Sequence, residues 1–237
     1  MSQYKLQTTT IWRFPNRGDW ATHNPSYRGN WSPHVPRNII LKYSSQKDVV
    51  LDLFVGSGTT LIETKLLGRV GIGIDINPNA IETAKKNLKF NCDFISQKQS
   101  LILGNSTNIP FVDPCTIDLI CTHPPYANII KYSEGIIGDL SLLSVDAFLG
   151  EMRSIAHECH RILKPKKHCC ILIGDIRRKG NIIPLGFEVM NIFIQHGFQL
   201  NDIIIKEQFN CKRTRYWENI TTPFHLITHE YVLIFKK

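Results

Sequence analysis

Four groups of polar residues, each standing just after an apolar run, carry the chemistry this sequence offers. Asp52 precedes the turn Gly56-Ser57-Gly58-Thr59-Thr60, and Asp75 closes the run Gly68-Arg-Val-Gly-Ile-Gly-Ile-Asp75. Asn105 and Ser106 follow Ser100-Leu-Ile-Leu-Gly104, and His123-Pro124-Pro125-Tyr126 follows Ile117-Asp-Leu-Ile-Cys-Thr122. A glycine turn between a strand and a helix lets a ligand approach the backbone at a helix N-terminus. Glycines alone do not separate a phosphate ligand from a nucleoside. The acid about twenty residues later does, because it lies where an adenosine ribose presents its hydroxyls. Thr59-Thr60 stands where a nicotinamide fold would have its helix-packing glycine, and no Gly-Lys-Ser/Thr completes a P-loop. The reading is an adenosine site without a pyrophosphate. Asp75 is then the ribose acceptor, Asn105 is placed to bond an adenine edge, and Asp52 lies near enough to attract a cationic amine or sulfonium.

These groups need a scaffold that brings strand ends together. Val49 to Val55 reads as a buried parallel strand and Leu61 to Leu67 as the helix after the glycine turn. Asn77-Pro78 opens a further helix that continues from Ala80 to Phe90. Pro33 to Ser44 reads as a helix leading into the first strand, with Val35, Ile39, Ile40 and Tyr43 at helical spacing. Val145 to Leu163 is a long amphipathic helix ended by Pro165 and its lysines, and His168 to Gly174 the next strand. Asp175 to Gly180 reads as a charged loop, Leu185 to His196 as a helix ended by Gly197, and Phe198 to Glu207 and His229 to Phe235 as two last strands. Strands alternating with helices predict an α/β fold: a mostly parallel sheet, helices on both faces, and a closing strand pair. In such sheets ligands collect beyond the carboxyl ends of the strands, where all four polar groups fall.

With 237 residues, the chain suits one domain with appendages. We expect residues 1–32 to form an irregular basic and aromatic arm, and residues 33–237 a single domain with a basic insertion at about 208–228. No apolar run is long enough to cross a bilayer and no signal-peptide core opens the chain, so a cytoplasmic protein without a membrane partner is expected. Seven cysteines without CxxC spacing suggest neither a zinc ribbon nor a disulfide framework, and Cys121, Cys169 and Cys170 read as core thiols. His157-Glu-Cys-His160 is not HExxH, so no metal is expected. A formal charge of +8 favours a polyanionic partner. Three basic elements could line a nucleic-acid groove: Arg13, Arg17 and Arg28 in the arm, Arg177, Arg178 and Lys179 after a strand end, and Lys212, Arg213, Arg215 and Trp217 in the insertion. Solvated loops, and tryptophans that plate the arm onto the domain, are the competing reading.

Asp52-Leu-Phe-Val-Gly-Ser-Gly-Thr-Thr60 resembles the S-adenosylmethionine motif of the DNA amino-methyltransferases, D-P-F-x-G-S-G-T-T. Thr122-His-Pro-Pro-Tyr126 resembles their catalytic motif, S-P-P-Y or D-P-P-Y. The resemblance covers about residues 33 to 175, with the closing strand pair also fitting. It implies the class I methyltransferase fold, a Rossmann-like sheet of seven strands. It also implies that Asp52, Gly56, Ser57, Gly58, Thr59, Asp75 and Asn105, with the flanking Phe54, Thr60, Ile76 and Ser106, hold S-adenosylmethionine.

The implied reaction methylates an exocyclic amine of cytosine or adenine, a poor nucleophile because its lone pair is delocalised into the ring. Two acceptors gripping the amine hydrogens would aim that lone pair at the methyl group: the side chain of residue 123 and the Pro124 carbonyl. Pro124 and Pro125 stiffen the turn, and Tyr126 would stack on a base rotated out of the helix. Here His123 replaces serine, aspartate or asparagine, and Leu53 replaces proline. A neutral imidazole accepts one hydrogen bond and a protonated one none, so transfer is expected to fail as His123 protonates, near ~6.5. Otherwise His123 only packs against the turn. The expected partner is DNA, cytosine N4 slightly ahead of adenine N6, with recognition resting on a further subunit if this short chain lacks it. An RNA guanine-N2 methyltransferase and a non-catalytic binding subunit are the alternatives.

Overall fold

The structure is a computed structural model and describes residues 4–92, 97–209, 221 and 223–237. Among the described residues, eight strands form one sheet in the order β1-β9-β10-β6-β5-β2-β3-β4. The central strands β2 (Val49–Asp52), β3 (Val70–Asp75), β4 (Gln99–Leu103), β5 (Ile117–Thr122) and β6 (Leu163–Ile173) run parallel to their neighbours within this group. The last strand, β10 (His229–Lys236), lies antiparallel between β6 and β9 (Gln199–Glu207). Seven strands reproduce the expected sheet. The eighth is β1 (Ile11–Trp12), a piece of the arm that pairs parallel to β9 at Ile205 and Lys206.

Successive residues of the inner strands serve opposite faces, as a sheet covered on both sides requires. Leu51, Ile120, Cys169 and Ile171 point to the core under α4 (Val145–Ile162) and α5 (Leu185–Gln195), against Phe148, Met152, Ile155 and Phe193. Val50, Leu119, Cys121 and Cys170 point to a second core with Val35, Ile39 and Ile40 of α1 (His34–Tyr43). Trp12, Phe14 and Trp31 belong to that second core, so two of the arm's tryptophans are packing residues. α2 (Thr59–Leu66) leaves the glycine turn, and α3 (Pro78–Asn87) starts at Asn77, whose side chain caps the Asn79 amide.

Two segments depart from expectation. β6 begins at Leu163, directly after α4, rather than at His168; it runs through Pro165 because a bulge falls there, Leu163 pairing with Ile117 and His168 with Leu119. The expected loop after β6 is a hairpin, β7 (Ile176–Arg178) paired with β8 (Asn181–Ile183). Among the described residues, no helix is long and apolar enough to cross a membrane.

A buried carboxylate ties the arm down. Glu63 on α2 is fully buried and accepts from Trp20 Nε1 at 2.7 Å, His23 Nε2 at 2.7 Å and Arg37 Nη1 at 2.9 Å. Removing one member leaves the others charged or polar without partners in a dry site. Glu63→Ala is therefore expected to cost roughly 3–5 kcal/mol, read from the midpoint of urea unfolding. A shift of under about 1 kcal/mol would mean the arm does not depend on this cluster.

Candidate active site

The glycine turn and the double-proline turn face one another. One crevice is lined by Phe54 to Ser57 and Thr59 on one side, by Asp75 to Asn77 and Gly104 to Ser106 beside it, and by His123 to Pro125 across from it. The arm and the loop before α4 close the remaining walls with Tyr27, Asn30, Trp31, Tyr132, Asp139 and Leu140. None of these six was among the sequence candidates, since only the fold brings them to the strand ends.

Asp75 accepts the Gly56 amide on Oδ2 and the Asn77 amide on Oδ1, each at 2.9 Å. A carboxylate offers about four lone-pair directions, so acceptor capacity remains toward the crevice. Burial pushes its pKa up, with the two amides pulling the other way. Asn105 accepts the Thr107 amide at 3.0 Å, and its Nδ2 lies against Gly138. Ser106 is buried at the crevice wall and donates its hydroxyl to the Leu53 carbonyl, so that hydrogen is already committed within the protein. Thr59 donates to Asn30 Oδ1 and so ties the turn to the arm.

Asp52 does not line the crevice. Its carboxylate is 2% exposed and turned inward, where Oδ1 accepts from the Phe54 amide at 3.1 Å and Thr122 Oγ1 at 2.8 Å, and Oδ2 from Thr60 Oγ1 at 2.5 Å. The expected attraction for a sulfonium is replaced by a brace: one carboxylate joins the start of α2 to the residue before His123. Burial raises its pKa to about 6. Thr60, also fully buried, belongs to this brace rather than to the ligand wall.

His123 is half-buried, with Trp31 stacked on its ring at 5.4 Å and 27°. Its Nε2 lies 3.0 Å from the Tyr126 hydroxyl, which donates to Glu230 Oε1 at 2.9 Å. Burial drives the imidazole pKa down to about 4; Glu230 opposes this and Lys206 adds to it. The titration expected near 6.5 is thus displaced well into the acid range, because a charged ring would lose its water. Tyr126 keeps one ring edge against Gly174 and its hydroxyl between His123 and Glu230.

Beyond the double-proline turn lies a groove of about 1020 Å³, lined by Phe14, Arg17 and Arg28 from the arm, Tyr126 and Ile129, Ile176 and Arg177, Lys206 to Phe209, and Phe224 and Glu230. It shares Gly29 to Trp31, His123 to Pro125, and Tyr132 with the crevice, so the two spaces meet at the histidine. The basic candidates divide. Arg17 is bonded through Nη2 to the Trp31 carbonyl at 2.8 Å, and Arg177 lies 4.4 Å over Phe224 while bonding the Gly180 and His225 carbonyls. Arg28 is exposed at the groove. Arg13 pairs with Glu207 at 2.7 Å, Arg178 bonds the Asn128 side chain, and Lys179 sits on the hairpin turn; these three do not line the groove. Lys212, Arg213, Arg215 and Trp217 lie outside the described residues.

A family pattern described as DNA methylase, covering the N6 and N4 methyltransferases, matches residues 1–86 and 117–237, the arm and both turns included. The chain belongs to this DNA methylase family. Within it, 50 residues are 56% identical to the Type II methyltransferase M.HpaI of Haemophilus parainfluenzae, over 21% of this chain and 16% of that protein. Ninety-six residues are 33% identical to the tRNA (guanine(10)-N2)-dimethyltransferase of Pyrococcus abyssi, over 40% of this chain and 28% of that enzyme. The methylase-family sheet resembles a solved SAM-dependent methyltransferase of Methanosarcina mazei, with a TM-score of 0.58, 18% identity, and 84% and 96% of the two chains covered. Against M.HpaI, M2.LlaDCHI and M2.DpnII, the aligned stretches span 16%, 24% and 25% of those proteins' own lengths.

Proposed function

We propose that this protein methylates the exocyclic amino group of a base in DNA, cytosine N4 ahead of adenine N6, using S-adenosylmethionine. The observation that supports this is the meeting, at His123-Pro124-Pro125, of the crevice lined by the glycine turn, Asp75 and Asn105 with a wider groove. Asp75 would take the ribose hydroxyls and Asn105 the adenine edge, the Gly56–Thr59 backbone would cradle the tail, and Tyr27 and Tyr132 would wall the ligand. When bound, the cofactor supplies a methyl group on a sulfonium. His123 and the Pro124 carbonyl would each accept a hydrogen bond from the target amine and so aim its lone pair toward the cofactor crevice. The two prolines would stiffen the turn that carries this carbonyl, and Trp31 stacks on the imidazole plane. An uncharged acceptor at position 123 is nearer to the serine of S-P-P-Y than to a carboxylate, which favours cytosine. Arg28 and Arg177 sit where phosphates of an everted strand would pass.

Incubation with labelled S-adenosylmethionine and mixed DNA and RNA, followed by mass spectrometry of nucleosides, tests this reading. Labelled N4-methylcytosine is the expected product, and N6-methyladenine would keep the reaction while moving the target. Labelled N2-methylguanine from RNA would favour the tRNA-enzyme reading, which the Pyrococcus abyssi match supports. A protein that binds cofactor yet labels nothing would overturn the catalytic reading.

A further inference from the structure

A buried hydrogen-bond relay stands behind His123, and two of its members, Glu230 and Lys206, lie in no sequence motif. We propose that Glu230, acting through Tyr126, is a positioning residue that fixes His123 as the Nε2–H tautomer and so keeps Nδ1 as the acceptor for the substrate amine; this rests on the function proposed above.

The direction of every bond in the relay follows from the chemistry of its members. Lys206 Nζ lies 2.9 Å from Glu230 Oε2, and an ammonium can only donate. Both side chains are largely buried, 13% and 11% exposed, so the pair is shielded from water. Burial works against a charged Glu230, but the Lys206 ammonium, joined by the Tyr126 hydroxyl, pulls the carboxyl below its usual range. An ionised carboxylate can only accept, so the Tyr126 hydroxyl gives its single hydrogen to Oε1 at 2.9 Å. Burial and the same carboxylate keep that phenol protonated by raising its pKa well above the ordinary value. With its hydrogen committed, the phenol oxygen is only an acceptor toward His123. The 3.0 Å contact then requires a hydrogen on Nε2, which leaves Nδ1 bare. No hydrogen bond reaches Nδ1 from the described residues, and the imidazole borders both the crevice and the groove.

The arrangement repeats the logic of a carboxylate that orients a catalytic imidazole without taking its proton. Here the carboxylate works at one remove, with a phenol between. Neither Glu230 nor Lys206 needs to touch substrate. Tyr126 acquires a role other than stacking: its oxygen passes the orientation from β10 to the catalytic turn.

The test separates this role from a structural one by reading the tautomer directly. Heteronuclear NMR of protein carrying isotopic nitrogen in its imidazoles, without substrate, reports which ring nitrogen is protonated; a His123→Asn spectrum identifies the resonances. Wild type is expected to show a protonated Nε2 and an unprotonated Nδ1. Glu230→Gln keeps the shape but offers an amide that can donate to the phenol oxygen. The phenol hydrogen is then released toward Nε2, so the tautomer should move to Nδ1–H or to a mixture. Tyr126→Phe removes the bridging oxygen and should also give a mixture, which provides a second reading if the first variant fails to fold. In methyl transfer, Glu230→Gln should lower kcat by about 10²-fold or more and leave KM for DNA within about twofold, since wrong-tautomer effects fall on the chemical step. A wild-type His123 protonated on Nδ1, or a tautomer that ignores both substitutions, overturns the inference. Because the NMR needs no turnover, an Nε2–H imidazole that responds to both variants in a protein that methylates nothing would uphold the relay and overturn the activity.

Discussion

The limb of methyl transfer set by His123 should appear only as the pH approaches about 4, where the imidazole gains its proton; a loss near pH 6 would belong to the Asp52 brace, whose carboxyl pKa is raised to about 6. Above its own pKa the imidazole is neutral and one nitrogen accepts the amine hydrogen; below it both nitrogens carry hydrogens and the acceptor is gone. Burial sets the position of the limb, because the folded protein strips part of the ring's hydration and gives it no directly bonded carboxylate in exchange. Stability should follow the same group. The folded pKa lies below the ordinary 6.5, so the contribution is complete above 6.5 and is lost as pH falls toward about 4. His123→Phe should lose roughly 10²–10⁴-fold in kcat, the usual worth of a positioned acceptor. His123→Asn offers an amide oxygen that accepts at every pH, so it should retain activity and lose the acid limb. An unaltered limb near pH 4 in His123→Asn would show that another group sets it.

Gly58→Val is expected to weaken cofactor binding by about 100-fold or more and to cost about 1–3 kcal/mol of stability. Gly58 is the residue from which α2 starts, with φ at +90°, a region that β-branched side chains avoid. A Cβ there would also stand 3.2 Å from Ala84 Cβ and 3.3 Å from its Cα on α3, so relief requires the two helices to part. Movement of α2 displaces the Gly56–Thr59 backbone that would cradle the ligand and strains the Thr60–Asp52 brace. Calorimetric titration of S-adenosylmethionine measures the first effect and urea unfolding the second. A valine variant that binds like wild type would mean that the turn is not the cradle.

Much of this was legible because short-range rules sufficed. The strand, glycine turn and helix at 49–66, the Asn77 cap before Pro78, and the Gly197 stop each rest on local backbone chemistry. The hairpin of β7 and β8 was hidden because three-residue strands give no usable alternation, and β1 because two residues give none. Pro165 reads as a helix terminator in sequence, and only pairing with β5 reveals the bulge that admits it into a strand. At the site, Asp52 was misplaced because sequence position puts it beside the ligand, whereas Thr60 and Thr122 turn it inward. Glu230 lies 104 residues from Tyr126 and 24 from Lys206, beyond the reach of any local rule; the three become neighbours only because β10 enters the sheet between β6 and β9.

The two-residue strand β1 has a consequence for handling the protein. It occupies the outer margin of β9, where the Ile205 amide bonds the Thr10 carbonyl, and Trp12 beneath it is 2% exposed. Deleting residues 1–12 would bare unpaired amides and carbonyls on that rim together with the apolar bed left by the indole. Such an open rim invites strands from neighbouring molecules. The shortened chain is therefore expected to precipitate or self-associate on purification, and light scattering on fresh preparations would reveal it.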